Sequence, residues 1–188
     1  MLKRWSLVGS AALALAGCGG GEANVSNVVE NGTPDTQAAS PQVTISDGLK
    51  DADESRFRSV VAATGLSATL AGPGEYTVLV PTNAAFDRLP PGTFDRLVQP
   101  AAREELTGVV TYHVLPGSIL AADLGRAIDT GKGTAVLATM NGQTLTASRD
   151  GGNIRLTDAA GNSATVSATD ERFKNGVVHR VDRLLIPR

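Results

Sequence analysis

The stretch that most constrains the fold is residues 76–86, which read Tyr-Thr-Val-Leu-Val-Pro-Thr-Asn-Ala-Ala-Phe. Its first five residues favour a β-strand, because aromatic and β-branched side chains pack well on a pleated surface. Only Thr77 has a short polar side chain among them, so we predict that other elements cover both faces of the strand. Thr82 then stands at a helix N-cap position, where its hydroxyl can accept a hydrogen bond from a free backbone N–H. The stretch therefore predicts a buried strand that leads directly into a helix.

The residues before this strand have helical spacing. Phe57, Val60, Val61 and Thr64 recur at i, i+3, i+4 and i+7, and Gly65 follows at the position of a C-cap. We predict that residues 44–64 are mainly helical, in two pieces.

Further helices are predicted after the strand. The helix that begins after Thr82 should end at Pro90-Pro91, because proline cannot continue a helix. Pro100 should open another helix, and residues 119–128 are typical of an irregular helical crossover. The apolar stripe of the helix after Pro100 consists of Leu106, Val109 and Val110.

From Tyr112 onward the apolar spacing becomes alternating, which places Tyr112 and His113 on a strand. Asn141-Gly142 separates two alternating runs and is a strong β-hairpin signal. Turns at 150–152 and 161–162 separate the short strands that follow. Because helices come first and antiparallel strands second, we predict an α+β fold with N-terminal helices packed on the sheet. A core of about 145 residues can be stable without disulfides.

Three stretches carry a resemblance to a known family. Residues 76–86 resemble the first signature box of the fasciclin domain, residues 112–115 its Tyr-His motif, and residues 175–187 its closing box. They occur in the family's order and with its spacing. The resemblance implies a fasciclin-like fold over residues 43–188, with helices packed on an antiparallel sheet wedge or sandwich. The signature residues that it implies, mainly structural in role, are Thr82, Asn83, Phe86, Tyr112, His113, Asn175, Gly176, His179 and Asp182.

The resemblance also implies a function in adhesion. Fasciclin domains are associated with adhesion to cells and extracellular matrix, so we expect a protein or polysaccharide partner at the cell surface. In animal members an Asp-Ile pair before the closing box is tied to integrin binding, and the matching positions here are Asp170 and Glu171. Because the isoleucine is missing, integrin recognition is not carried over. Tyr112 and His113 are either a contact site or a structural pair.

The N-terminus has the layout of a secretory signal. Lys3 and Arg4 precede an apolar run at 7–16 that is too short to span a bilayer. Leu15-Ala16-Gly17-Cys18 then resembles the bacterial lipobox, which implies that Cys18 receives lipid and becomes the first mature residue. The alternative is an ordinary signal peptide with Cys18 beside its cleavage site by chance. Two acyl chains would anchor the protein stably to a membrane, whereas a single chain binds only marginally.

This layout predicts the organisation and location of the chain. Residues 1–17 are a lipoprotein signal peptide, 18–42 a flexible tether poor in apolar side chains, and 43–188 the fasciclin domain. The protein should be exported and lipid-anchored to a bacterial cell envelope. We expect the outer membrane or the periplasmic face in a Gram-negative cell, and otherwise the outer face of the plasma membrane.

The charge of the mature chain argues against polyanionic partners. The full chain has 17 basic and 19 acidic residues, and removal of residues 1–17 takes away two basic residues and no acid. The mature net charge is about −4. Nucleic acids and anionic lipid headgroups need a basic surface, so neither is expected as a partner.

No set of residues predicts catalysis, a metal or a cofactor. The chain has two histidines and one cysteine and lacks an H-E-x-x-H motif, so a zinc site is not expected. Ser118 lacks the second glycine of a nucleophile elbow. His179 alternates with Val177 and Val181, so we predict that it points inward as a neutral, hydrogen-bonded core residue. Carriage of a small apolar ligand between helices and sheet is the alternative function, and an enzyme is the least favoured.

Overall fold

The structure is a computed structural model that describes residues 42–50 and 52–188. The predicted signal peptide, Cys18 and the tether as far as residue 41 lie outside the described residues. The helices before the sheet are α1 (Ile45–Gly48), α2 (Ser55–Thr64) and α3 (Ser67–Ala71), and those after the first strand are α4 (Asn83–Asp87), α5 (Thr93–Leu97) and α6 (Arg103–Tyr112). Short 3₁₀ turns at Ala52–Glu54 and Pro100–Ala102 precede α2 and α6.

In the described part of the chain, the sheet is built from one strand that precedes helices α4–α6 and six strands that follow them. The strands are β1 (Tyr76–Pro81), β2 (Val114–Pro116), β3 (Thr134–Ala138), β4 (Thr144–Asp150), β5 (Asn153–Thr157), β6 (Ser163–Phe173) and β7 (Gly176–Val181), with helix α7 (Ala121–Thr130) between β2 and β3. Their order is β2-β1-β7-β6-β5-β4-β3. The predicted α+β class is confirmed. The pairing of β1 with β7 is parallel and was not predicted, whereas the other described pairs are antiparallel.

Strand β1 separates two hydrophobic cores, because its alternate side chains face opposite sides. Val78 and Val80 belong to the first core, with Phe57 of α2 and Val110 of α6. Leu79 belongs to the second core. Every residue of β1 from the second to the last is buried, which confirms that both faces of this strand are covered.

The second core is enclosed by the two halves of the sheet. Leu115 of β2 packs in it with Leu145 of β4 and Leu156 of β5, and Leu124 and Ile128 of α7 complete it. Strand β6 carries two register irregularities between Val166 and Glu171. Bulges bend a strand, and the bend lets the β3–β5 half of the sheet face the β1–β2 half.

Most predicted boundaries are close to the observed ones. Gly65 adopts a left-handed conformation with φ of 80° and terminates α2, as its position indicated. Helix α4 ends at Asp87, earlier than the predicted Pro90. The Asn141-Gly142 hairpin is present, but its loop has three residues, because Gly142 N–H donates to Thr139 O at 3.0 Å and Thr139 N–H to Gln143 O at 2.9 Å. Such a loop places a left-handed residue third, and Gly142 has φ of 85°.

Candidate interaction surface

Tyr112 and His113 end a helix, so the prediction that they lie on a strand is wrong. Tyr112 is the last residue of α6, and His113 N–H still donates to Val110 O at 3.0 Å. The helical series i, i+3, i+4 and i+7 that begins at Leu106 includes His113 as its last member. The helical period therefore continues past the point where the alternating pattern was taken to begin.

The His113 ring is fully buried and uses both nitrogens. Nδ1–H donates to Val109 O at 2.8 Å, and Nε2 accepts from Leu185 N–H at 3.1 Å. Burial lowers the pKa of His113 to about 4, although the Val109 carbonyl and the Asp158 carboxylate act to raise it. The imidazole is therefore neutral near pH 7, and it joins α6 to the C-terminal segment.

Tyr112 has a similar structural position. Its hydroxyl donates to Thr144 O at 2.9 Å and accepts from Ala159 N–H at 3.1 Å. Burial raises the pKa of this phenol. Because Tyr112 and His113 are both fully buried, neither reaches a partner at the surface.

His179 on β7 faces the second-core side of the sheet and is also fully buried. Nε2–H donates to Ile119 O at 2.8 Å, and Nδ1 accepts from Asp170 N–H at 3.2 Å. These opposite roles fit a neutral ring with its proton on Nε2. The ring joins β7 to the loop before α7 and to β6.

Asn175 and Gly176 bring distant parts of the chain together. Asn175 Oδ1 accepts from Ile45 N–H at 2.8 Å, and its Nδ2 donates to Leu70 O at 2.7 Å. Gly176 has φ of 147°, and a Cβ at this position would lie 1.8 Å from Tyr76 O. Position 175 therefore needs a side-chain amide that both accepts and donates hydrogen bonds, and position 176 needs glycine because there is no room for a Cβ atom.

The first signature box stabilises a neighbouring helix. Thr82 occupies the N-cap position of α4, but its side chain makes no capping hydrogen bond, so the predicted hydroxyl cap is wrong. The next residue caps α2 instead: Asn83 Oδ1 accepts from Arg56 N–H at 3.2 Å, and Nδ2 donates to Ala52 O at 2.9 Å. Phe86 packs edge-on against Phe94, with ring centroids 5.3 Å apart.

The last signature residue, Asp182, lies at the edge of the fold. Its Oδ1 accepts from Thr165 N–H at 2.6 Å, and its Oδ2 pairs with Arg88 at 2.8 Å. It therefore fixes the end of β7 to β6 and to the segment after α4.

Two acidic residues were not predicted to be buried. Asp158, only 5% exposed, accepts hydrogen bonds from the N–H groups of Asn162 at 2.8 Å and Ile186 at 3.1 Å. Glu54, 2% exposed, pairs with Arg180 Nε at 2.6 Å. The turn at Gly161-Asn162 is a sequence signal for the first of these contacts, because an aspartate before a turn often accepts hydrogen bonds from backbone N–H groups of the same loop. No sequence signal indicated the burial of either carboxylate, because burial depends on elements that are distant in the chain.

The positions that match the family's Asp-Ile pair bond within the fold. Asp170 Oδ1 accepts from Ala121 N–H at 2.8 Å, at the start of α7. Glu171 pairs with Arg180 at 3.0 Å. Both carboxylates therefore have partners inside the domain.

The buried polar groups of residues 42–50 and 52–188 serve the fold. Every buried side-chain nitrogen or oxygen in these ranges has a hydrogen-bond partner. No group of three or more His, Cys, Asp or Glu residues in the same ranges is arranged to hold a metal ion. The helices of this part of the chain are too short or too polar to cross a bilayer.

A surface groove lies between the loop before α7 and the end of β6. We call it the β6–α7 groove, with a volume of about 470 Å³, lined by Gln42, Ser118, Leu120, Asp123, Arg172, Phe173, Lys174, Gly176 and Val177. Val177 is buried and apolar, whereas Arg172 and Lys174 are exposed at the rim. The Phe173 side chain packs on the other face of the sheet, in the first core. Asp123 is paired with Arg126. Among the described residues, neither Arg172 nor Lys174 has an ion-pair partner.

The fasciclin-domain profile matches residues 52–187, which is most of the chain. The chain belongs to the fasciclin-domain family.

Fasciclin-domain relatives occur in bacteria and animals. Protein sll1483 of Synechocystis sp. is 35% identical over 129 residues, which cover 69% of this chain and 64% of that protein. Uncharacterized protein sll1735 of the same organism is 31% identical over 140 residues, covering 73% of this chain and 92% of the relative. Transforming growth factor-beta-induced protein ig-h3 of Sus scrofa is 32% identical over 133 residues, covering 70% of this chain and 17% of ig-h3.

A solved structure agrees with the fasciclin fold. The FAS1 domain pair of the insect cell adhesion molecule Fasciclin I superposes with a TM-score of 0.69 at 16% identity, covering 78% of this chain and 51% of that one. The matched range of 52–187 lies inside the predicted domain of 43–188. The boundaries at residues 17 and 42, and the lipid on Cys18, stay predictions.

Proposed function

We propose that this fasciclin-domain protein acts in adhesion or surface interaction, with its partner bound on the outside of the domain. The observation that carries the proposal is the bonding of the signature residues. The polar atoms of Tyr112, His113, Asn175 and His179 are bonded inside the fold, so contact with a partner falls to exposed residues. The insect relative with the same fold is named a cell adhesion molecule.

The filling of the cores favours adhesion over carriage of an apolar ligand or catalysis. Such a ligand would lie between the helices and the sheet, where Phe57, Val80 and Val110 pack against one another in the first core. Catalysis needs a reactive group that reaches substrate, and the two histidines are fully buried. A surface partner requires neither an internal cavity nor a free catalytic group.

We also propose that lipid on Cys18 holds the exported protein at the cell envelope, with residues 18–42 as a tether. The support is the order of the basic, apolar and lipobox-like stretches before Cys18. Mass spectrometry of the mature N-terminus should find acyl chains on Cys18, and Cys18→Ala should release the protein into the soluble fraction. An unmodified N-terminus at another residue would contradict the anchor.

The adhesion proposal is tested with cells that lack the protein. We expect these cells to lose attachment or biofilm cohesion, and re-expression of the protein to restore it. Soluble Cys18→Ala protein, added in excess, should compete and lower the attachment of wild-type cells. Unchanged attachment, with a bound lipid or metabolite recovered from the purified protein, would instead support ligand carriage.

A further inference from the structure

We propose that the β6–α7 groove binds a short, acidic, extended segment of a partner protein. This inference rests on the proposed function, because it names the kind of partner that a surface-interaction domain would hold. It depends on the charge and the shape of the groove.

Charge complementarity is the first argument. Seven arginines of the described residues form ion pairs with carboxylates, and these are Arg56, Arg88, Arg96, Arg126, Arg149, Arg155 and Arg180. Arg172 and Lys174, which line the same groove, form no such pair among the described residues. Asp123, the acid that lines the groove, is already paired with Arg126. The groove therefore has an uncompensated positive charge on a chain whose net charge is −2.

The shape of the groove favours an extended segment. Buried Val177 gives the groove apolar surface, and Leu120 lies on the wall that the loop before α7 provides. An extended peptide alternates its side chains, so acids at i and i+2 are about 7 Å apart with an apolar residue between them. Arg172 and Lys174 are also two positions apart, and their long side chains can meet both acids. A guanidinium can bind a carboxylate through two parallel hydrogen bonds.

The net charge of the protein selects a short acidic segment over a polyanion. An acidic protein repels nucleic acid, highly charged polysaccharide and anionic membrane at long range. Two local positive charges are enough for two carboxylates, because such contacts act over a few ångströms and not over the whole surface.

A groove of this kind suits an adhesion protein that acts in many copies. Each exposed ion pair changes affinity by a factor of roughly five at most, so a single segment should bind weakly. Many weak contacts between two surfaces become strong together, because each bound copy raises the effective concentration of the next. Weak single contacts are also easily reversed.

The test uses the whole protein with Cys18→Ala and a synthetic peptide, acetyl-Gly-Glu-Val-Glu-Leu-Gly-amide. We expect the peptide to shift the NMR amide signals of Ser118, Leu120 and Val177 as it is titrated. The same peptide with glutamine in place of glutamate should bind about 5- to 25-fold more weakly, since it loses two ion pairs. This comparison needs no change in the protein.

Variants of the rim residues test the same contacts from the protein side. Arg172→Gln with Lys174→Gln should lower peptide affinity by about 5- to 25-fold. Arg103→Gln with Arg183→Gln is the matched control, because it removes the same charge from exposed residues that do not line the groove. We expect the control pair to change affinity less than about twofold, since distant exposed charges are screened.

Several results would overturn the inference. An equal loss of affinity in both variant pairs would mean non-specific charge attraction, and equal binding of the glutamine peptide would remove the role of the acids. A polyuronate chain or phosphatidylserine vesicles that shift the groove signals more strongly than the peptide would make the partner class wrong.

The outcome is separable from that of the proposed function. If cells need the protein for attachment but the Arg172→Gln/Lys174→Gln variant attaches normally and binds the peptide as before, the groove inference fails and the adhesion proposal stands. If the peptide binds in the groove but loss of the protein leaves attachment unchanged, the adhesion proposal fails and the groove remains a peptide site.

Discussion

At the scale of single residues, His113 links two parts of the chain through ring nitrogens with opposite roles. Nδ1 donates to Val109 in its own helix, and Nε2 accepts from Leu185 near the C-terminus. The nearby Asp158 carboxylate bonds to the next residue of that C-terminal segment, Ile186. A proton added to Nε2 would turn the acceptor for Leu185 N–H into a donor, so the neutral ring is a condition of this packing.

His113 should make the protein less stable at acid pH. Its pKa in the folded state is about 4, below the ordinary value of 6.5, so the unfolded chain takes up a proton that the folded chain refuses. The stabilising effect is complete above pH 6.5 and is lost as the pH falls from there to about 4, by roughly 3 kcal/mol in total. Urea unfolding at pH 7, 6 and 5 measures the part of this loss that occurs above pH 5.

The His113→Gln variant isolates the contribution of the ring from that of the carboxylates. It should be less stable at pH 7 but should show a flatter dependence between pH 6.5 and 5, since glutamine does not titrate. Parallel curves for wild type and variant would mean that His113 takes up its proton equally in both states.

At the scale of elements, periodicity and turn residues predict strands and helices better than they predict the ends between them. The buried β1 and the Asn141-Gly142 hairpin follow from local patterns, because the side chains that determine them are neighbours in sequence. Tyr112 and His113 were misplaced, since an apolar segment at a helix end fits an alternating and a helical period equally well.

The hydrogen bonds of the candidate surface and the signature residues were less predictable. Asn83 caps a helix 27 positions upstream, and Asp170 bonds to the first residue of α7, 49 positions upstream. Contacts of this length have no periodic signal in a single sequence. The β6–α7 groove could not be predicted for the same reason, because its walls come from β6 and from the loop before α7.

The capping of α2 can be tested by comparing substitutions at two adjacent residues, Asn83 and Thr82. Asn83→Ala should lower the free energy of unfolding by about 1–2 kcal/mol, because the Arg56 N–H at the start of α2 loses its acceptor. Thr82→Ala is the control, since the Thr82 side chain makes no capping bond, and should cost less than about 0.5 kcal/mol. Hydrogen exchange at the first turn of α2 should increase in the Asn83 variant alone. The reverse order of the two losses would restore Thr82 as the effective cap.

At the scale of the whole molecule, the two cores are joined by the strands that they share. β1 supplies Val80 to the first core and Leu79 to the second. The C-terminal segment repeats this division, with Leu184 in the first core and Leu185 in the second. Because β1 and the C-terminal segment pack in both cores, unfolding of one core would also remove contacts from the other. We therefore expect the domain to unfold in one step.

Substitutions at the C-terminal segment test this coupling. Leu184→Ala and Leu185→Ala should each cost about 2–4 kcal/mol, and each should shift a single, common unfolding transition. Ile186→Ala is the control, because Ile186 is 38% exposed, and should cost less than about 1 kcal/mol. Calorimetry distinguishes the outcomes, since two separate transitions in either variant would mean that the cores are independent.

The parallel pairing of β1 with β7 also determines when the chain can fold. Its register joins Tyr76 to Gly176, so β1 has no central neighbour until synthesis has passed residue 176. Closing a loop of about 100 residues costs entropy before the new contacts repay it, and folds that depend on such distant pairings form slowly. The central sheet can therefore assemble only after residue 176 has been synthesised. In an exported protein, as we propose this one to be, such a delay favours the unfolded form that translocation across a membrane requires.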